Sequence, residues 1–232
     1  MNDAWKTPTT NTVPALPAAT ILLLRDRGAG VEVLMVKRGA GAFFGSALVF
    51  PGGKLDPADE HPDWLAHISG HDGLSAQDIA LRIAGWREVF EETGLLPAQC
   101  PLPDGVDGAA MPFIDLIRQS GGALPLGDMQ PYARWITPKI SPKRFDTHFF
   151  LCALDGDDGV ADGFETVSTE WLTPTLALEM GERGDRNVIF PTRCQLQRLA
   201  QSATIADALA AAAATPIITV EPARVERADG VF

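Results

Sequence analysis

The stretch Arg87-Glu88-Val89-Phe90-Glu91-Glu92-Thr93-Gly94-Leu95 holds the densest chemistry in this 232-residue chain. On a helix, positions 88, 91 and 92 stand as i, i+3 and i+4, so three carboxylates share one face within a turn. Such neighbours repel and raise one another's pKa. At the C-terminal end of a helix the negative end of the dipole sharpens the conflict. A hard divalent cation resolves it, because Mg²⁺ and Mn²⁺ take oxygen ligands of this kind. Glu88, Glu91 and Glu92 are therefore candidate metal ligands. Read alone, the same letters also describe a solvated acidic face with Arg87 as its ion-pair partner. Upstream, Phe50-Pro51-Gly52-Gly53-Lys54-Leu55 offers a turn where backbone groups approach a phosphate or metal, which makes Gly52 and Gly53 candidate substrate contacts.

An anionic substrate needs cations, and this chain is acidic: 19 Lys and Arg stand against 30 Asp and Glu, a formal charge of −11. That balance argues against broad nucleic-acid binding, which requires a basic surface, but a cation can still mediate between an acidic site and an anion. Arg38 ends a strand just before a glycine-rich loop, and Lys143 and Arg144 begin another strand. Arg38 and Arg144 are expected to meet substrate phosphates, with Arg144 facing the cleft; an exposed strand-end charge is the alternative for Arg144. His61, His67 and His71 are close in sequence, but Gly70 interrupts the spacing and no cysteine is near, so they read as polar loop residues. Cys100, Cys152 and Cys194 are odd in number and widely spaced, which suits a reducing compartment and no disulfide framework. No signal-peptide pattern and no run of 18 apolar residues occurs, so a soluble cytoplasmic protein that does not engage membranes is expected.

The elements that must position these groups follow from patterning. Residues 1–17, rich in Thr, Pro and Ala, read as a flexible arm, and 18–232 as one mixed α/β domain. Residues 19–25 and 31–38 form a hairpin around Gly28 and Gly30. Residues 47–51 form a short strand, and 60–77 a polar surface insertion. Ser75 and Asp78 start a helix that runs from Ala76 to Thr93, with Ile79, Ile83, Trp86 and Phe90 on its apolar stripe and Gly94 at its C-terminal end. A short helix lies in MPFIDLIRQ; strands are expected over 131–138, 144–154 and 167–174, and helices over 175–181 and 192–214. In the 144–154 strand, Phe145, Thr147, Phe149 and Leu151 face one way, and Arg144, Asp146 and His148 the other. Trp86, Trp135 and Trp171 read as core.

These motifs resemble the Nudix hydrolase box, GX5EX7REUXEEXGU with U a bulky aliphatic residue. Gly53 matches its opening glycine, and Arg87, Glu88, Val89, Glu91, Glu92, Gly94 and Leu95 match its closing half. The first glutamate position falls on Asp59, with 27 rather than 7 residues before Arg87, an insertion of 20. GAFFGSALVFPGGKLDPAD, the insert beginning HPDW, and SPKRFDTHFF look like the peroxisomal coenzyme A diphosphatase branch and its bacterial relatives. A stricter coenzyme A signature, GX3FPGG, is not met, because four residues separate Gly45 from Phe50.

The resemblance implies a Nudix-type α/β/α sandwich with a mixed sheet, carrying insertions and C-terminal helices. It implies Mg²⁺- or Mn²⁺-dependent hydrolysis of a nucleoside diphosphate derivative. Coenzyme A or an acyl-coenzyme A is the favoured substrate, and ADP-ribose or a dinucleotide the alternative. A non-catalytic nucleotide sensor is a second class, and a homodimer is compatible with the resemblance. Arg87 would orient a glutamate of the cluster, and Glu165, which precedes the TEWL strand, is a candidate general base.

Overall fold

The computed structural model describes residues 13–28, 30–37, 47–102, 106, 111–154 and 168–222, and the backbone of 226–227 and 230–231. The strands are β1 (Leu16–Asp26), β2 (Val31–Lys37), β3 (Leu48–Val49), β4 (Gly52–Lys54), β5 (Ile68–Ser69), β6 (Leu124–Pro125), β7 (Gln130–Ile136), β8 (Phe145–Ala153), β9 (Ser168–Leu172), β10 (Thr219–Val220), β11 (Glu226–Arg227) and β12 (Gly230–Val231). The helices are α1 (Ala76–Thr93), α2 (Phe113–Ser120), α3 (Pro174–Glu182), α4 (Phe190–Leu199) and α5 (Ile205–Ala214).

β1 is the spine. Its residues alternate between two cores, as the two-residue period of a strand dictates. Ala19, Ile21 and Leu23 pack with Leu81, Ile83, Trp86 and Phe90 of α1 and Leu116 and Ile117 of α2. Leu22 and Leu24 pack with Ala177, Leu196, Leu199 and Ala208 of α3, α4 and α5. Burying a strand on both faces requires its continuous apolar run, each large side chain contributing about 1.5–3 kcal/mol. Helices thus cover both faces of an eight-stranded sheet. The sheet is mixed, since β1 runs parallel to β8 and β7 to β10 while the other pairings are antiparallel. The expected α/β/α sandwich is what forms.

α1 has the expected bounds. Ser75 Oγ accepts from the Asp78 amide at 3.1 Å, and Gly94 closes the helix in a left-handed conformation with φ of 72°. Three expectations need correction. β1 begins at Leu16, so the arm cannot extend to residue 17; residues 1–12 lie outside the described residues. The 60–77 insertion is not merely polar surface: Trp64 and Ile68 are buried in the α1 core, Trp64 packs on Phe113, and β5 pairs with β6. The helix expected over 192–214 is two helices. Thr204 and Asp207 exchange side-chain-to-amide hydrogen bonds of 3.1 Å and start α5 afresh. Among the described residues no helix is long and apolar enough to cross a membrane.

Under α1 lies a polar group of consequence. His148 on β8 faces Asp146 and Arg134 of the sheet and Asp78 and Arg82 of the helix. Burial pushes its imidazole below the ordinary value of 6.5, an effect that Asp146 and Asp78 oppose and Arg134 and Arg82 reinforce. Asp146 is held below the usual carboxylate range by its hydrogen bonds with Arg134 at 2.8 and 2.6 Å. A depressed folded-state pKa means that the unfolded chain binds more protons, so stability is full above the unfolded value and falls as pH drops through the folded one. Thermal melts are therefore expected to show falling Tm below pH 6.5, and His148→Gln to flatten the decline that begins there; an unchanged slope in that variant would contradict this role of His148.

Candidate active site

The site forms where β1 and β2 part. On one edge, β1 pairs with β8 from Leu16 to Leu24. On its other edge it pairs with β2 over Leu24–Asp26 but with β4 over Ala18–Thr20. β2 in turn passes from β1 to β3, pairing Val36 with Val49. The segment 47–54 therefore crosses from one strand to the other and wedges the fork open. Phe50-Pro51 carries this crossing, and the Pro51 carbonyl accepts from the Ile21 amide at 3.1 Å. The expected glycine turn is thus strand β4, locked to the spine.

Gly52 and Gly53 face the last turn of α1. The Gly52 amide donates to Glu92 Oε2 at 3.1 Å. A Cβ on Gly53 would stand 2.3–2.4 Å from the Glu88 carboxylate, so that carboxylate occupies space available only because residue 53 lacks a side chain. These glycines position carboxylates, the Gly52 amide being committed to one, and both also line the cleft where a substrate contact is expected.

Arg87 organises the remainder. Its Nε and Nη2 form two hydrogen bonds to Asp59, at 2.9 and 3.0 Å, and Nη2 also donates to the Lys54 carbonyl at 3.0 Å. Nη1 donates to Glu88 at 2.8 Å and to Glu91 at 2.9 Å. All five guanidinium N–H donors are used. Burial alone would lower this group's pKa, but Asp59, with Glu88 and Glu91, outweighs it and leaves the pKa raised. Asp59 is 2% exposed, and its carboxylate also accepts from the Asp56 amide at 2.8 Å. The insertion therefore leaves the Asp59–Arg87 link intact: the chain makes a longer excursion and returns to the same point.

Glu88 and Glu92 line one end of a cleft of about 950 Å³. Glu91 lies nearer solvent, 46% exposed at its side chain, and is tied to Glu88 through Arg87. Among the described residues no three acidic, histidine or cysteine side chains converge on one point. The structure thus brings two of the three glutamates into the cleft and holds the third beside them. The donor chemistry fits a hard cation: oxygen ligands, crowded at the negative end of a helix, with room cleared at Gly53.

The remaining candidates divide. Lys54 and Lys143 line the cleft. Arg144 does not serve as expected, being 7% exposed. Its guanidinium donates to the Val13 carbonyl, the Thr137 carbonyl and Glu221 at 3.0, 2.9 and 2.7 Å, tying both ends of the chain to the β7–β8 turn. Arg38 and Glu165 lie outside the described residues. Trp86 is core as expected; Trp135, half-buried, packs against the second core and also lines the cleft, where its ring and that of Phe190 meet edge-to-face with centroids 5.7 Å apart. Sequence reading missed Phe190; its one signal is a large aromatic at the first residue of a helix, immediately before Pro191.

Gly53→Ala is expected to lower turnover at least about tenfold while Tm stays within a few degrees, because the Cβ displaces a flexible carboxylate rather than packed backbone. Wild-type activity in this variant would show that the Glu88 position is unimportant.

A NUDIX domain profile matches residues 14–190. The solved NUDIX hydrolase from Alicyclobacillus acidocaldarius aligns at a TM-score of 0.68, covering 88% of this chain and 99% of that one, with 25% identity. The acyl-coenzyme A diphosphatase NUDT19 of Xenopus laevis is 28% identical over 205 residues, 64% of this chain and 54% of that protein. Its namesake in Homo sapiens is 26% identical over 260 aligned positions, 88% of this chain and 67% of that protein. The chain spans about half to two-thirds of the length of these curated relatives. The profile covers most of the sequence, and the sandwich matches the solved relative, so the chain belongs to the Nudix family.

Proposed function

We propose that the protein hydrolyses the diphosphate bond of coenzyme A or an acyl-coenzyme A, releasing 4′-phosphopantetheine (or its acyl form) and adenosine 3′,5′-bisphosphate. The observation that carries this reading is the presentation of Glu88 and Glu92, beside Lys54, at one end of a cleft large enough for an extended nucleotide derivative. The curated relatives named acyl-coenzyme A diphosphatase support the substrate class. The three free cysteines suit a reducing compartment such as the cytoplasm.

Glu88 and Glu92, with Glu91, would hold Mg²⁺ or Mn²⁺. When bound, such an ion supplies charge neutralisation of the diphosphate and a lowered pKa for the attacking water. The protein's own part is orientation. Arg87 keeps the Glu88 and Glu91 carboxylates in register, Asp59 keeps Arg87 in place, and the Gly52 amide fixes Glu92. Lys54 adds positive charge where the phosphates lie. Water attacks one phosphorus, the bridging P–O bond breaks, and the leaving phosphate takes up the electron pair. Glu165 remains the proposed base for the proton of that water.

Separation of the products by liquid chromatography tests the assignment. With Mg²⁺, coenzyme A is expected to yield the two named products. Glu92→Gln, with its melting curve retained, is expected to lose about 100-fold or more in kcat. Turnover confined to ADP-ribose or dinucleotides would move the protein to the alternative substrate class. Tight binding without turnover of any diphosphate would make it a sensor.

A further inference from the structure

The cleft is acidic at one end only. Away from the carboxylates much of its wall is carbon, from Trp135, Ile136, Phe145, Ile189, Phe190 and Pro191, with Thr137, Ser141 and Lys143 at the β7–β8 turn. Phe190 is 59% exposed, although an aromatic of this size ordinarily gains by burial. It meets Trp135 at an interplanar angle of 77°, and both residues line the cleft.

Strand register measures how far this wall lies from the chemistry. Lys54 pairs with Ala18, Ala18 with Thr147, and Thr147 with Trp135. All four line the cleft, so they form one row across β4, β1, β8 and β7. Three strand spacings separate the two ends, about 14 Å. The bond joining a nucleobase to its ribose lies only about half that distance from the diphosphate, and the base itself adds about 5 Å. A pantetheine arm of a dozen or so bonds spans about 15 Å when extended. A purine also carries polar edges that need partners, and the rings of Trp135 and Phe190 present carbon to whatever lies between them.

Resting on the coenzyme A reading, we propose that Trp135 and Phe190 receive the acyl group of an acyl-pantetheine arm, so that the enzyme selects acyl thioesters over free coenzyme A. Phe190 is then a specificity-determining residue. Its ring covers the chain, and Trp135 sets the far wall.

Steady-state kinetics with coenzyme A and its acetyl, hexanoyl and octanoyl esters tests the assignment. The wild-type protein is expected to gain about tenfold or more in kcat/KM from free coenzyme A to the octanoyl ester, mostly through KM, given that one fully buried methylene alone is worth roughly fourfold. Phe190→Ala is expected to reduce that ratio to within about twofold of unity, and Phe190→Leu to keep most of it. Coenzyme A turnover with no dependence on chain length overturns the inference and leaves the function standing. So does a Phe190→Ala variant that weakens free coenzyme A and every ester alike, since the wall would then hold the adenine. Failure to hydrolyse any coenzyme A compound removes the underlying function and the inference together.

Discussion

One largely enclosed guanidinium holds the candidate site together. Glu88 and Glu91 project from a single turn at the negative end of α1, an arrangement that drives them apart unless positive charge sits between them. Arg87 supplies that charge and spends its remaining donors on Asp59 and the Lys54 carbonyl. The same residue therefore joins the helix, the wedge strand and the insertion. Its side chain is 11% exposed and that of Asp59 1%. Removing one partner from so dry a pair would leave an uncompensated charge, which is far costlier than losing a surface bridge.

The fork in β1 converts this local balance into an active-site geometry. A sheet with β2 along the whole edge of β1 would leave no opening between α1 and the opposite face. Because β4 takes over that edge at Ala18–Thr20, the last turn of α1 reaches the cleft past two residues without side chains. The helices on the far side then complete the cavity. α4 brings Ile189–Thr192 to its rim, while β7 and β8 supply the floor. Acidic and apolar ends thus arise from different layers of one sandwich, each built on its own core.

What could be read from the sequence was local. The spacing of Glu88, Glu91 and Glu92 and the caps Ser75 and Gly94 fixed α1 to the residue, because capping and periodicity act within a few positions. The faces of β8 followed from alternation. Long-range partnerships did not show. Arg144 resembles a strand-end cation in sequence, yet its partners Val13 and Glu221 lie 131 and 77 positions away. A 20-residue insertion lengthens the path from Asp59 to Arg87, yet Trp64 and Ile68 anchor that insertion and return the chain to the helix. Trp135 reads as core and packs against one, but an aromatic on a strand gives no sign that it also borders a cleft. The end of α4 was missed because its alanine-rich continuation reads as unbroken helix until Thr204 and Asp207 are recognised as a new start.

Cation binding tests the central claim most directly. A Mn²⁺ titration of the full chain, followed by the loss of the free-ion electron paramagnetic resonance signal, should show saturable binding, weakened at least about tenfold in both Glu88→Gln and Glu92→Gln. Equal affinity in the wild-type protein and both variants, or no binding at millimolar Mn²⁺, would contradict the placement of a metal at the last turn of α1.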